Sequence, residues 1–220
     1  MIFQSILLII FGYLLGSIPT AYIAGRLFKN IDLRLYGSGT VSGSMVYEHV
    51  GRWVVVLVGL FDIAKGALPT WLGLQLGPGE MVAAAAGLAA VLGHNWPLYL
   101  RFRGGRGLSP YLGLMLVLFP AGAGWLLAFL AIGFLLGDSA PWALVSLLTT
   151  PLLIYFLEGP DVVYWAVAFM LLITLAKRLE ANRRPLPEQR KSRREVILLR
   201  LIFDRDINDH KEWINRQPGP

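Results

Sequence analysis

The chain is 220 residues long, 55% hydrophobic, free of cysteine, and carries a net charge of +6. So apolar a composition excludes an ordinary soluble domain, and the missing thiols exclude disulfides, thiolate metal sites and a cysteine nucleophile. The three histidines lack an H-E-x-x-H spacing, so no metal is expected, and the positive charge sits on alternate connections between apolar runs, which points to anionic lipid rather than nucleic acid.

Apolar runs long enough to cross a bilayer recur to about residue 179 and predict an all-α integral membrane protein with about seven transmembrane helices. In chain order they cover about 2–25, 53–75, 81–100, 108–119, 121–136, 141–157 and 162–178. The run at 108–119 is too short to cross alone. Pro120, Pro141, Pro151 and Pro160, with Gly77, Gly79, Gly137 and Gly159, mark ends or kinks. The first run has no basic start and no clear small-residue cleavage site, and is read as a span. Arg26, Lys29, Arg34 and Arg52 flank the first connection, Arg101, Arg103 and Arg106 fill the third, and most other basic residues follow Lys177. The second, fourth and sixth connections carry no basic residue; Glu80 lies in the second and Glu158 and Asp161 in the sixth. Because Lys and Arg are retained on the cytoplasmic side, the N-terminus is expected outside and the C-terminus inside.

The first polar connection, LRLYGSGTVSGSMVYEHVGR (33–52), contains Gly37-Ser38-Gly39 followed by Thr40. Such a loop can expose consecutive amide N–H groups and hold a phosphate, or it can be a polar turn between helices. In the second span, Asp62 and Lys65 share one helical face at i, i+3; they read as a self-neutralising ion pair or as a lysine facing a polar cavity. The third span ends in LGHNWPLYLRFRGGRGLS (92–109). There His94 is a general base or fixes the neighbouring loop. Gly104, Gly105 and Gly107 permit close backbone approach beside Arg106, whose planar fork matches phosphate oxygens, whereas Arg101 and Arg103 are explained by sidedness alone. Residues 181–220 form a second unit after the 1–180 bundle. In it Val196, Leu199, Ile202, Phe203 and Ile207 make an apolar stripe beside Arg194, Arg200 and Arg205. This tail is expected along the cytoplasmic membrane surface, with docking onto the bundle's own loops as the alternative.

These motifs, in this order over about residues 1–184, resemble the bacterial acyl-phosphate:glycerol-3-phosphate acyltransferases, the PlsY family: LLGSIP in the first span, the G-S-G loop, D-x-x-K-G from Asp62 to Gly66, and G-H-x-x-P followed by G-G-[KR]-G. The resemblance implies a multi-pass protein of the bacterial inner membrane that takes acyl phosphate and glycerol 3-phosphate as substrates among membrane lipids. It would transfer the acyl chain to the 1-hydroxyl without a cofactor, metal or nucleic acid. On it, Ser38, His94 and Arg106 are candidate catalytic residues, and Gly37, Ser38, Gly39, Thr40, Lys65, Gly104, Gly105, Arg106, Gly107 and Arg178 are candidate phosphate ligands.

The chain departs from the family pattern at Thr40, Ser42 and Met45 in the first loop, at Glu48 where an arginine is expected, and at Leu108, Ser109 and Pro110 after the second loop. In RLEAN, Arg178 stands for a histidine and Ala181 for an asparagine, with Asn182 one position off. These departures motivate a second reading, a non-catalytic descendant that binds a phosphate-bearing lipid as regulator or scaffold. A transporter ranks behind both, since no internal repeat is visible.

Overall fold

A computed structural model describes residues 2–37, 39–77, 79–183 and 190–215. Every regular element among them is helical: α1 (Ile2–Gly16), α2 (Thr20–Lys29), α3 (Gly43–His49), α4 (Arg52–Leu76), α5 (Glu80–Asn95), α6 (Leu108–Leu118), α7 (Pro120–Leu135), α8 (Ser139–Phe156), α9 (Asp161–Glu180), α10 (Arg190–Phe203) and α11 (His210–Asn215). Among the described residues five segments are long and apolar enough to cross a membrane: Ile2–Lys29, Arg52–Leu76, Glu80–Leu100, Ser139–Phe156 and Asp161–Glu180. Leu108–Leu118 and Pro120–Leu135 are shorter. At 1.5 Å per residue α6 rises only about 16 Å, and Phe119 (φ −155°, ψ 81°) then turns the chain so that Pro120 can open α7.

The first segment is broken between α1 and α2. Pro19 has no N–H to continue the ladder and keeps Ile18 out of helical geometry. Ser17 is buried and returns its hydroxyl to the Tyr13 carbonyl at 2.8 Å. The Ile18 carbonyl takes a turn bond from Thr20 N–H at 3.0 Å and a second, at 2.5 Å, from Lys65 Nζ on α4.

Between lipid-solvated helices the apolar transfer term nearly vanishes, so close backbone packing of small residues must hold the bundle together. Gly12 and Gly16 of α1 lie against the Ala86 and Ala90 carbonyls of α5, and Gly93 lies against Tyr13. Gly66 of α4 faces the Pro110 carbonyl of α6, and Gly113 returns the contact on Ile63. A core of Val91, Tyr111, Leu114, Met115, Leu126, Leu147, Ile154, Val163 and Met170 fills the space between α5, α6, α7, α8 and α9. Large apolar side chains such as Leu60, Phe61, Leu148, Leu152, Trp165 and Phe169 remain exposed on the outer faces, where lipid solvates them.

The connections sort to two ends. At one, Gln4 bonds the Leu76 carbonyl and Gly159 packs against Phe119, which gathers the N-terminus with the second, fourth and sixth connections. At the other, the first, third and fifth connections meet the described part of the tail. Arg200, 2% exposed, bonds Asp206 Oδ1 at 2.6 Å and the Leu179 carbonyl at 3.1 Å, and Arg205 pairs with Asp138. The tail therefore docks onto the bundle, its alternative disposition rather than the membrane-surface one. The reason is polar: the carbonyls and acids at this end give its arginines better partners than an open surface would.

Candidate active site

The first loop begins at Asp32, which accepts from the Arg34 backbone N–H at 3.0 Å and from its guanidinium at 2.9 and 2.6 Å. That hydrogen-bonding guanidinium holds the Asp32 carboxyl below its ordinary value against the opposing effect of burial. Gly37 (φ 46°) and Gly39 (φ 68°) then take left-handed conformations that aim the chain inward. Thr40 Oγ1 and Ser42 Oγ are 3.0 Å apart, and the Val41 N–H donates to the Gly104 carbonyl at 3.2 Å. Ser38 lies outside the described residues.

The third connection is laid back onto the end of α5. The Gly105 N–H donates to the His94 carbonyl at 3.0 Å. A Cβ on Gly104 would stand 2.2 Å from that same carbonyl, and one on Gly105 would stand 2.1 Å from His94 Nε2, so only glycine allows the approach. Gly107 (φ 75°) opens α6 against the buried Asn95 side chain. The two loops are joined a second time by Asn182, whose Nδ2 donates to the Gly39 carbonyl at 2.8 Å and the Gly104 carbonyl at 3.4 Å. Left-handed backbone at Ala181 (φ 44°) and Asn182 (φ 53°) swings this amide inward from the end of α9.

Together the loops border a cavity of about 580 Å³, within the range that holds a ligand. Thr40, Ser42, His94, Arg106, Lys177 and Arg178 give it polar walls, and Tyr47, Val55, Leu130 and Phe134 give it an apolar one. Glu48 also faces it, beside Tyr47, on whose ring Arg52 stacks at 5.6 Å. Arg106 donates from Nε to Asp204 Oδ2 at 2.6 Å and from Nη1 to the Lys177 carbonyl at 3.1 Å. Lys177 Nζ donates to Glu180 Oε2 at 2.8 Å while lying over the Trp96 ring, and Trp96 Nε1 donates to the same oxygen at 3.2 Å. Arg178 bonds the Leu201, Ile202 and Ala140 carbonyls at 2.6, 3.0 and 2.6 Å.

Deeper, Asp62 receives Lys65 Nζ and the Thr20 hydroxyl, each at 2.6 Å, with His94 Nδ1 at 3.7 Å. Lys65 spends all three ammonium donors on Asp62, Thr20 and Ile18 and does not line the cavity. Among the sequence-predicted residues, Thr40, His94, Arg106, Gly107 and Arg178 meet at the cavity, and Gly39 and Gly104 meet through Asn182. Gly105 packs on His94, Gly37 packs on the Ile214 carbonyl of the tail, and Arg101 and Arg103 are exposed. No group of three potential metal-binding side chains occurs among the described residues. Lys177, Thr20 and Asp204 carry no signal in the sequence, and Asn182 is visible there only by its one-position offset in RLEAN.

A family model described as glycerol-3-phosphate acyltransferase matches residues 6–186. "Glycerol-3-phosphate acyltransferase 5" of Dehalococcoides mccartyi is 36% identical over 98% of this chain and 94% of its own. The crystal structure of the integral membrane glycerol 3-phosphate acyltransferase PlsY in its glycerol 3-phosphate form superimposes with a TM-score of 0.73. It is 29% identical and covers 82% of this chain and 91% of that one. The lysophosphatidic acid form of PlsY matches similarly, with a TM-score of 0.72 and 28% identity.

Proposed function

The chain belongs to the glycerol-3-phosphate acyltransferase family, and on that premise we propose that its cavity joins acyl phosphate to glycerol 3-phosphate. The protein is a multi-pass membrane glycerol-3-phosphate acyltransferase, and its relatives favour this over a non-catalytic descendant. The observation that carries the mechanism is the pairing of the two glycine loops, through Val41–Gly104 and Asn182, at the lip of a cavity with one cationic and one apolar wall. The cationic wall, Arg106 and Arg178 with the Thr40 hydroxyl, suits phosphate; Val55, Leu130 and Phe134 suit an acyl chain. In our reading the loop glycines Gly37, Gly39, Gly104, Gly105 and Gly107 shape the phosphate cradle, and Lys65 stiffens the floor beneath it.

Acyl phosphate is already activated, so holding both substrates in line supplies much of the acceleration. The 1-hydroxyl oxygen bonds to the acyl carbon as the acyl–phosphate C–O bond breaks and inorganic phosphate leaves. His94, with Asp62 3.7 Å from its Nδ1, is the cavity group to which we assign the hydroxyl proton. We place the N-terminus outside and this end of the bundle at the cytoplasmic face of a bacterial inner membrane, in line with the basic residues of the first and third connections and of the tail.

The test is acyl transfer to radiolabelled glycerol 3-phosphate by purified protein, with acyl phosphate and acyl-CoA offered separately. Turnover with acyl phosphate alone is expected. His94→Ala should lower kcat by about 10²- to 10⁴-fold; a loss of only a few-fold would hand the proton to the leaving phosphate.

A further inference from the structure

Both cations assigned above to the substrate phosphate are already held by the tail. Arg106 Nε bonds Asp204 Oδ2 at 2.6 Å, and Arg178 Nη1 bonds the Leu201 and Ile202 carbonyls near the end of α10. A guanidinium grips an oxyanion through two adjacent donors. With Nη1 of Arg106 on the Lys177 carbonyl, each of its two-donor edges includes a nitrogen already bonded.

The grip of Asp204 is incomplete. Its side chain is 18% exposed, and among the described residues its buried Oδ1 has no hydrogen-bond partner. A phosphate, with three terminal oxygens against one working carboxylate oxygen, can take the Arg106 Nε and still reach further donors of the wall such as the Thr40 hydroxyl. Farther along, α11 lies over the first loop: Trp213 is buried, and His49 Nε2 donates to the Ile214 carbonyl at 3.1 Å. Arg205 fastens the stretch between to Asp138. All of these tail residues lie beyond the 6–186 that the family model matches.

We infer that residues 199–215 form a strap over the site in which Asp204 is an internal competitor of glycerol 3-phosphate, an inference that rests on Arg106 being a phosphate ligand. Substrate phosphate takes the place of the Asp204 carboxylate on Arg106, and the strap loosens as it does.

The experiment is steady-state kinetics of the full chain against glycerol 3-phosphate. Asp204→Asn should lower KM about tenfold with kcat within about twofold of the parent, and Trp213→Ala should shift KM the same way. An unchanged KM in Asp204→Asn overturns the inference, and so does a raised one, which would make Asp204 a group that positions Arg106. Arg106→Ala separates the two layers: a raised KM upholds the phosphate-ligand reading whatever Asp204→Asn does, whereas a parental KM removes that reading and the strap with it. A second readout leaves both charges in place and serves where Asp204→Asn does not purify. The chain has no native cysteine, so alkylation of a single Phe203→Cys reports opening directly. Its rate should rise several-fold with saturating glycerol 3-phosphate; a rate indifferent to substrate overturns the strap.

Discussion

Replacing Lys65 by methionine should destabilise the bundle more than replacing Lys65 and Asp62 together. Both side chains are nearly sealed, at 5% and 2% exposed, and 2.6 Å apart. Lys65→Met leaves the Asp62 carboxylate with one hydroxyl and a histidine 3.7 Å away, and removing one partner of a buried pair costs about 3–5 kcal/mol. It also strips the Ile18 carbonyl of its 2.5 Å bond, worth about 1 kcal/mol. The single variant should thus lose about 4–6 kcal/mol. In Asp62→Asn/Lys65→Met the stranded charge is gone and an amide still meets Thr20, so the loss should be smaller by about 2 kcal/mol, a coupling typical of residues in contact. Reversible unfolding in detergent micelles, run on the parent, both single variants and the double, measures the cycle. A double variant no more stable than Lys65→Met would refute the buried-pair account and return Lys65 to the substrate.

Arg106→Ala should cost about 2–3 kcal/mol of phosphate binding, or roughly 30- to 150-fold in kcat/KM, while exposed Arg103→Ala stays within a few-fold; equal effects would reduce the loop to topology charge. Gly66→Val should destabilise by about 3 kcal/mol or more, because its Cβ would stand 1.8 Å from the Pro110 backbone oxygen. Gly59→Ala on the same helix meets nothing within 4 Å and should lie within about 1 kcal/mol of the parent in thermal unfolding. Since the folded Asp32 carboxyl is held below its ordinary value by Arg34, its contribution is complete above about pH 4 and is lost as pH falls through the folded value. The parent should therefore lose stability between pH 5 and strongly acid conditions by more than Asp32→Asn does, and parallel pH profiles would remove the linkage.

The five long segments were legible because the bilayer imposes a length on apolar runs, and the shared end of the two glycine loops was legible in where Arg26, Arg34, Arg101 and Arg106 fall. The Asp62–Lys65 contact is local, three residues apart, and periodicity exposes it; Thr20 and Ile18, the partners that complete it, depend on how a broken helix meets α4. Asn182 was visible only as a one-position offset in RLEAN, because left-handed backbone at Ala181 and Asn182 reaches the loops from a position that a straight helical register would not use. The contact between Arg106 and Asp204 joins residues 98 apart and leaves no trace in either neighbourhood. Only the folded tail brings them together.

The break at Pro19 also bears on how the protein is made. The first segment enters the membrane with an Ile18 carbonyl satisfied only by a tight turn, and the Thr20 hydroxyl it needs for Asp62 has no acceptor there yet. Lys65, which completes both contacts, follows 47 residues after Ile18. A hydroxyl without its acceptor in hydrocarbon is costly, and so is a lone lysine in the second segment. Each segment thus carries a polar defect that the other cancels, so the nascent chain gains by keeping the two together at a wet or protein-lined boundary until they can move into lipid as one paired hairpin.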